Sequence, residues 1–328
     1  MRFKLIILTA LLTPCTLAAA FAQSAPDKPA EKTSATVGAT VKPAPAVTPA
    51  KELFGRKAEP ASLATRSIGF YAKGCLAGAK PIAIDGPAWQ AMRLSRNRNW
   101  GHPQLIALVQ RLATESQKHD GWAGLLVGDI SQPRGGPMLT GHASHQIGLD
   151  ADIWFTPMPD RRLTERERED LSATSMLRDK LSVDPQIWSD RHVRLIKRAA
   201  SYPEVERVLV HPAIKKALCE GAGNANGADR AWLSKVRPTW GHHYHFHIRI
   251  GCPKDSPTCK PQATTPTGDT CGKELSDWMA LLAAPPKPPP TKPRPPAPPM
   301  TMAQLPNECQ AVLDAPAPAT QATSVQKK

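Results

Sequence analysis

The stretch WGHHYHFHIRI (residues 240–250) holds four of the ten histidines in the chain and ends in a strict alternation of polar and apolar side chains. A period of two predicts a β-strand over residues 243–250. The imidazoles of an H-x-H pair on a strand project to the same side of the sheet. The side chains that share this face are those of His243, His245, His247 and Arg249.

A second histidine-rich stretch, GHASHQIGLDADIWF (residues 141–155), contains His142 and His145 before a glycine-containing turn. The alternation in its DADIWF portion predicts another strand, which begins near Leu149. Asp152 follows His145 by seven residues, so the turn separates an imidazole from a carboxylate on the predicted strand.

The two stretches together predict a zinc site. Imidazole is the commonest metal ligand in proteins, and a catalytic zinc site needs three protein ligands and one open position. An H-x-H pair alone is more often a polar strand face, so the prediction requires the two strands to meet. In that case His145, Asp152 and His247 form a His2Asp set for Zn²⁺, and His245 lies free beside the metal.

Helical and strand patterns are mixed along the rest of the chain. Apolar residues recur with a helical period after Pro103 and over residues 191–203, whereas residues 124–131 and 205–212 are predicted strands. Because these elements lack a regular strand–helix–strand rhythm, the sequence predicts an α+β fold. We expect a central antiparallel sheet that carries the zinc site and is flanked by helices.

The composition predicts a folded body between two segments that build no core. The chain has 328 residues, 35 prolines and a formal net charge of +14, and residues 284–328 hold 13 of the prolines. We predict a Pro/Ala-rich linker over 23–62, a catalytic domain over 63–283 and a Pro-rich tail over 284–328. The only long apolar run is N-terminal, which excludes an integral membrane protein, and the composition also excludes collagen-like and wholly disordered classes.

Residues 1–22 have the features of a secretory signal peptide. Arg2 and Lys4 precede an apolar run, and the A-x-A pattern at residues 20–22 predicts cleavage after Ala22. We therefore expect a periplasmic protein without stable membrane insertion. No block of Lys and Arg resembles a nucleic-acid-binding arm, so the positive charge either serves solubility or attracts an anionic polymer such as cell-wall material.

Cleavage would leave six cysteines. An even number in an exported protein predicts three disulfides, although the spacing alone does not decide which cysteines pair. Paired cysteines leave no thiol for nucleophilic catalysis, and the chain lacks the H-E-x-x-H and G-x-S-x-G motifs of other hydrolases. The six are Cys75, Cys219, Cys252, Cys259, Cys271 and Cys309.

Four motifs together resemble penicillin-insensitive murein endopeptidases. They are the stretch at 141–155, VRPTWGHHYHFHIRI at 236–250, GDTCG at 268–272 and KGC at 73–75. The resemblance extends over about residues 65–310. These enzymes belong to a metallopeptidase group that also includes lysostaphin-type enzymes, D-alanyl-D-alanine peptidases and hedgehog domains.

The resemblance assigns roles to the histidines. It implies that the His2Asp set binds the catalytic zinc and that His245 and His242 are catalytic. It also implies a second metal position, for which His142 and Asp179 match two of the ligands. The family has a histidine three residues after that aspartate, whereas this chain has Ser182, so the chain departs from the pattern at the second position.

The resemblance further implies an activity and a disulfide pattern. The implied activity is penicillin-insensitive hydrolysis of D-alanyl–meso-diaminopimelyl cross-links in murein. Two alternatives stay open, namely a D,D-carboxypeptidase that acts on stem peptides and a non-catalytic module that binds zinc or the cell wall. The implied disulfides are Cys75–Cys309, which would anchor the tail, Cys219–Cys271 and Cys252–Cys259.

Overall fold

The computed structural model describes residues 47–222, 227–286 and 297–319. The predicted signal peptide, residues 23–46 of the predicted linker, and residues 287–296 and 320–328 of the predicted tail lie outside the described residues. The helices are α1 (Ala50–Gly55), α2 (Pro103–Asp120), α3 (Glu165–Asp170), α4 (Asp190–Ser201), α5 (Pro212–Gly221), α6 (Gly227–Arg230), α7 (Lys273–Ala283) and α8 (Glu308–Asp314). Among these described helices, none is both long and apolar enough to cross a membrane.

The strands are short, and 3₁₀ turns separate several of them. The turns are Leu94–Arg96, Ala231–Lys235 and Met302–Gln304. The strands are β1 (Arg66–Phe70), β2 (Lys73–Ala77), β3 (Lys80–Pro81), β4 (Trp89–Ala91), β5 (Trp100–Gly101), β6 (Leu125–Val127), β7 (Asp150–Trp154), β8 (Leu177–Asp179), β9 (Ser182–Val183), β10 (Val205–Val210), β11 (Val236–Pro238) and β12 (His245–Ile250).

The central sheet has six strands in the order β11-β10-β12-β7-β6-β4. Its middle pairs are antiparallel, whereas β10 with β11 and β6 with β4 are parallel. The α+β class is confirmed, but the expected antiparallel sheet is wrong because the sheet is mixed. Each parallel pair is joined through a crossover that contains a helix, α2 or α5. The edge strands β4 and β11 have only three residues each, too few to show a period of two.

One face of this sheet forms the main core with α2 and α4. Apolar side chains from both helices and from alternate positions of β7, β10 and β12 share a single buried cluster. Side chains alternate along a strand, so the polar residues of β7 and β12 lie on the opposite face. Burial of the apolar face thus determines which side of the sheet carries the histidines.

A second apolar cluster joins two segments that composition assigns to the linker and the tail. Phe54 of α1 and Val312 of α8 are at most 1% exposed within it. The interpretation of residues 47–62 as linker is therefore wrong, and residues 297–315 of the predicted tail are part of the fold. The two short helices share this cluster with Ile68, Cys75 and Ala77 of the β1–β2 hairpin, and composition cannot reveal contacts between segments so far apart in the sequence.

The three disulfides of the structure are the pairs that the resemblance implies: Cys75–Cys309, Cys219–Cys271 and Cys252–Cys259. The first joins β2 to α8 across 234 residues of sequence. Buried Arg134 reinforces this attachment, because its Nη1 donates to the carbonyl oxygens of Val312, Leu313 and Ala315. These carbonyls lie at the C-terminal end of α8, where the last backbone C=O groups of a helix have no hydrogen-bond donors within the helix.

We expect the variant Cys75→Ala/Cys309→Ala to be less stable than the wild type by about 2–5 kcal/mol, because the long disulfide restricts the unfolded chain. Urea unfolding followed by circular dichroism measures the difference. The matched control is Cys252→Ala/Cys259→Ala. These two cysteines are separated by only 7 positions in the sequence, so this variant should lose less stability. An equal loss in both variants would contradict the prediction.

Two His-Pro pairs begin helices. The His102 and His211 side chains each accept a hydrogen bond from the backbone N–H two residues on, in α2 and α5. This cap requires an unprotonated Nδ1. Burial, with the charges of His243 and His242, lowers the pKa of His211 to about 4.

The pKa of His211 predicts a pH dependence of stability. Its folded pKa lies below the usual 6.5, so its contribution is fully present above about pH 6.5 and is lost as the pH falls toward 4, by about 2–3 kcal/mol. His211→Asn keeps an acceptor for the cap but does not titrate. Urea unfolding between pH 4 and pH 7 should therefore show a shallower loss of stability in this variant, and identical pH profiles would refute the role of His211.

Candidate metal centre

The register of β7 and β12 brings the two histidine-rich stretches together. His247 lies directly opposite Asp152, and Arg249 lies opposite Asp150. All four side chains are buried. The predicted meeting of H-x-H and H-x6-D therefore takes place across one antiparallel ladder.

His145 reaches this ladder from the preceding turn. Its φ of 68° is in the left-handed region, and its backbone N–H donates to Asp150 Oδ2 at 2.9 Å. Its Nδ1–H donates to the Ile130 carbonyl at 2.6 Å, which leaves Nε2 as the nitrogen with a lone pair. Nε2 lies 3.4 Å from Asp152 Oδ1 and is buried without a hydrogen-bond partner in the described part of the chain.

Asp150, which accepts from the His145 N–H, also orients the His247 ring. Its Nε2–H donates to Asp150 Oδ1 at 3.0 Å, and its Nδ1 faces Asp152 Oδ1 at 3.1 Å. Arg249 Nε donates to Asp150 Oδ1 at 2.7 Å. Burial raises the pKa of Asp150, but Arg249 and His247 outweigh it and hold the pKa below its usual range. Carboxylates that hold the outer nitrogen of a ligating imidazole are common around metal ions.

These residues fit a zinc ion. In a tetrahedral site with bonds of about 2.0–2.1 Å, neighbouring ligand atoms lie about 3.3 Å apart. The distances of His145 Nε2 and His247 Nδ1 from Asp152 Oδ1 are close to that value. Burial raises the pKa of Asp152, yet the neighbouring His145 and His245 hold it well below the usual range, so the carboxylate is ionised as a ligand must be.

His142 lies at this centre rather than at a separate one. Its Nε2 is 3.0 Å from Asp129 Oδ2, and its Nδ1 is 3.6 Å from Asp152 Oδ2. Ligand atoms of His142, His145 and Asp152 lie within 4.8 Å of one another. His142 and His247 thus face different oxygens of one carboxylate.

The two residues implied for a second metal position do not meet in the structure. Asp179 lies at the turn between β8 and β9, where its carboxylate accepts from Ser182 Oγ at 2.6 Å and from the Leu181 N–H at 2.8 Å. Among the described residues, no contact joins it to His142. Ser182, the residue that departs from the family pattern, satisfies the carboxylate locally.

His245 lies beside the Asp152 carboxylate, and the His242 ring lies next to the His245 ring. His245 Nε2 is 3.6 Å from Asp152 Oδ2, and burial lowers the pKa of His245 to about 4. His242, with a left-handed φ of 54°, donates from Nδ1 to the Trp240 carbonyl at 2.8 Å. The two ring centroids are 4.8 Å apart. Strained backbone at His145 and His242 is the kind that clusters at functional sites.

His243 is directed elsewhere. Its Nδ1 pairs with Ser175 Oγ at 3.0 Å. The strand begins at His245 and not at residue 243, so the predicted membership of His243 in the polar face is wrong. The two left-handed residues Gly241 and His242 turn the chain just before the strand.

Sequence reasoning missed two carboxylates. Asp150 shares a strand face with Asp152, and this period of two was the signal that could have identified it. Asp129 ends the apolar run of β6, and its Oδ2 accepts from Arg98 at 2.9 Å as well as contacting His142. Hydrogen bonds from His142 and Arg98 overcome the effect of burial and lower the pKa of Asp129 to about 2.

The open cleft over these groups has a volume of about 260 Å³.

Comparison with known proteins places the chain in a family. The sequence profile described as penicillin-insensitive murein endopeptidase matches residues 67–314. The chain is similar to proteins of that name from Haemophilus influenzae (43% identity; 76% of this chain and 82% of the relative) and Pectobacterium atrosepticum (40%; 81% and 90%). A relative of the same name from Salmonella typhimurium is 42% identical over 76% of this chain and 87% of its own length. The chain therefore belongs to the penicillin-insensitive murein endopeptidase family.

Proposed function

We propose that this protein is a zinc-dependent endopeptidase that hydrolyses the D-alanyl–meso-diaminopimelyl cross-links of murein. The observation that carries the proposal is the pair of nitrogens, His145 Nε2 and His247 Nδ1, that face one buried oxygen of Asp152. The relatives named above are murein endopeptidases, which supports murein as the substrate.

The proposed zinc ligands are His145, Asp152 and His247. A bound Zn²⁺ supplies Lewis acidity, which polarises a carbonyl group and lowers the pKa of water. Asp150 holds the His247 ring and the backbone of His145 in place. His142 faces the second oxygen of Asp152, and we propose that it lies outside the ligand set.

The two remaining imidazoles are proposed to transfer protons. His245 is neutral at pH 7 because its pKa is lowered by burial, so it can accept the proton of the attacking water. His242 keeps Nε2 free because Nδ1 is engaged by the Trp240 carbonyl. Either ring can accept the proton of water, and the imidazolium formed in that step can donate the same proton to the oxyanion or the leaving amine.

We further propose that the protein acts in the periplasm and has no nucleic-acid partner. The sequence of residues 1–22 supports export, and three disulfides suit an oxidising compartment. Murein is present in that compartment, so the protein would meet its substrate after export.

Product analysis on a cross-linked dimeric muropeptide tests the proposed activity. Mature protein with zinc should convert the dimer into two monomeric muropeptides, identified by mass spectrometry. Release of only a terminal D-alanine would indicate a D,D-carboxypeptidase instead. An intact substrate in the presence of metal-loaded protein would favour the non-catalytic module.

Inhibitors provide a separate prediction. EDTA should abolish hydrolysis and added zinc should restore it, whereas penicillin should leave the rate unchanged. Beta-lactams act by acylating a nucleophilic serine, and a water nucleophile offers no such group. Stoichiometric labelling by a beta-lactam together with loss of turnover would contradict this mechanism.

A further inference from the structure

Three arginines, Arg93, Arg96 and Arg98, lie at one wall of the cleft, close to Asp129. They lie on or beside the 3₁₀ turn Leu94–Arg96, and Arg93 and Arg96 line the cleft. Arg93 Nη2 donates to the Leu171 carbonyl, its Nη1 donates to two further carbonyls, and the guanidinium stacks 5.3 Å from the Trp154 ring centroid. Arg98 is buried and donates to Asp129 and Thr140. These two guanidinium groups are engaged by the protein.

Arg96 differs from its neighbours. Its Nη1 donates to Asp129 Oδ2 at 3.1 Å, and its side chain is 46% exposed. Its Nε and Nη2 have no partner among the residues that the structure describes. The guanidinium is thus held at one nitrogen by a buried carboxylate, and the side chain lines the cleft.

The turn that carries Arg96 is held on both sides. Its flanking residues Arg93 and Asn97 have left-handed φ angles of 56° and 50°. The Ser95 N–H and Oγ each donate to the Glu169 carboxylate at 2.9 Å. Trp100 Nε1 donates to Asn97 Oδ1 at 2.7 Å. A pre-positioned cation loses less conformational entropy when it binds a ligand.

The charges at this wall favour an anion. The guanidinium groups of Arg96 and Arg98 share the negative charge of Asp129, and the Glu169 carboxylate lies near Arg93 and Arg96. Three positive charges thus face two negative charges at this wall. Asp129 Oδ2 already contacts both arginines and His142. The cleft therefore offers a planar, always charged donor group beside the proposed metal centre, and guanidinium groups match carboxylates in geometry and charge.

We propose that Arg96 binds the substrate carboxylate carried by the carbon atom next to the scissile nitrogen. This inference rests on the proposed function and specifies its substrate. In a D-alanyl–diaminopimelyl cross-link, the carbon that bears the scissile nitrogen also bears a free carboxylate, which remains on the released amine. Arg96 thereby selects peptides with an anionic group on the leaving side and positions the bond over the metal centre.

The test compares two peptides that differ at one group. One is a cross-linked dimer with that carboxylate free, and the other is the same dimer with a primary carboxamide in its place. The wild type should hydrolyse the carboxylate peptide with a kcat/KM about 10- to 100-fold higher, the range expected for charge-assisted hydrogen bonds. In Arg96→Gln this preference should disappear through KM.

Two further variants control the result. Arg56→Gln removes the same charge from a side chain directly after α1 that is 74% exposed, and it should retain the full preference. Arg96→Lys keeps the charge without the planar donor pair and should retain only part of it. Equal rates of the wild type on both peptides, or a preference retained in Arg96→Gln, would overturn the role of Arg96.

Binding measured without turnover separates this inference from the proposed function. Calorimetric titration of the His245→Ala protein with both peptides should show the same 10- to 100-fold preference, and the His245→Ala/Arg96→Gln protein should show none. Equal binding of both peptides to His245→Ala overturns the role of Arg96 alone. Failure of both peptides to bind overturns the proposed substrate and the inference together.

Discussion

His145→Ala and His247→Ala are each expected to lose the metal ion and the activity together, with hydrolysis falling by about 10³-fold or more. Each substitution removes an imidazole nitrogen that faces Asp152 Oδ1, at 3.4 Å for His145 and 3.1 Å for His247. Loss of a Lewis acid worth several kcal/mol has an effect of this size on the rate. Metal content by mass spectrometry of purified protein and hydrolysis of the dimeric muropeptide measure the two losses.

His142→Ala is the matched control for the ligand set. His142 faces the other oxygen of Asp152, so its removal should leave the metal bound. Metal loss in His142→Ala with retention in His247→Ala would replace the proposed set by His142, His145 and Asp152. Full metal occupancy in both His145→Ala and His247→Ala would reject the proposed centre.

His245→Ala is expected to retain zinc while hydrolysis falls by about 10²–10⁴-fold. The substitution removes a neutral imidazole whose Nδ1 is buried and has no hydrogen-bond partner among the described residues. Loss of a general base or an oxyanion donor typically has this effect. In this variant the metal content should therefore stay at the wild-type level while kcat on the dimeric muropeptide falls. In His145→Ala and His247→Ala, by contrast, both quantities should fall.

His243→Ala is the control for this second prediction. His243 is two residues away, but its ring pairs with Ser175 and takes no part in the centre. It should hydrolyse the substrate at close to the wild-type rate. A wild-type rate in His245→Ala would remove His245 from the mechanism, and equal losses in both variants would point to a general disturbance of the segment.

The elements of the centre were predictable because they rest on local periodicity. The alternation in residues 245–250 and in residues 150–154 predicts two strands, and both exist. The helices α2 and α4 follow equally from apolar spacing. The edge strands β4 and β11 were not predictable, since three residues carry too little pattern to distinguish a strand from a loop.

The sequence alone determined that His245, His247 and Arg249 share a strand face, that the cysteines would pair, and which motifs the chain has in common with a murein endopeptidase family. Tertiary structure decided the register that sets His247 opposite Asp152, and it brought Asp129 and Arg96 to the same cleft. It also brought α1 and α8, which lie far apart in the sequence, into one buried cluster. The physical reason is that periodicity acts over neighbouring residues, whereas register and ring orientation depend on partners far along the chain. Asp150 holds the His247 ring and the Ile130 carbonyl holds the His145 ring, so that one nitrogen of each faces the same oxygen of Asp152.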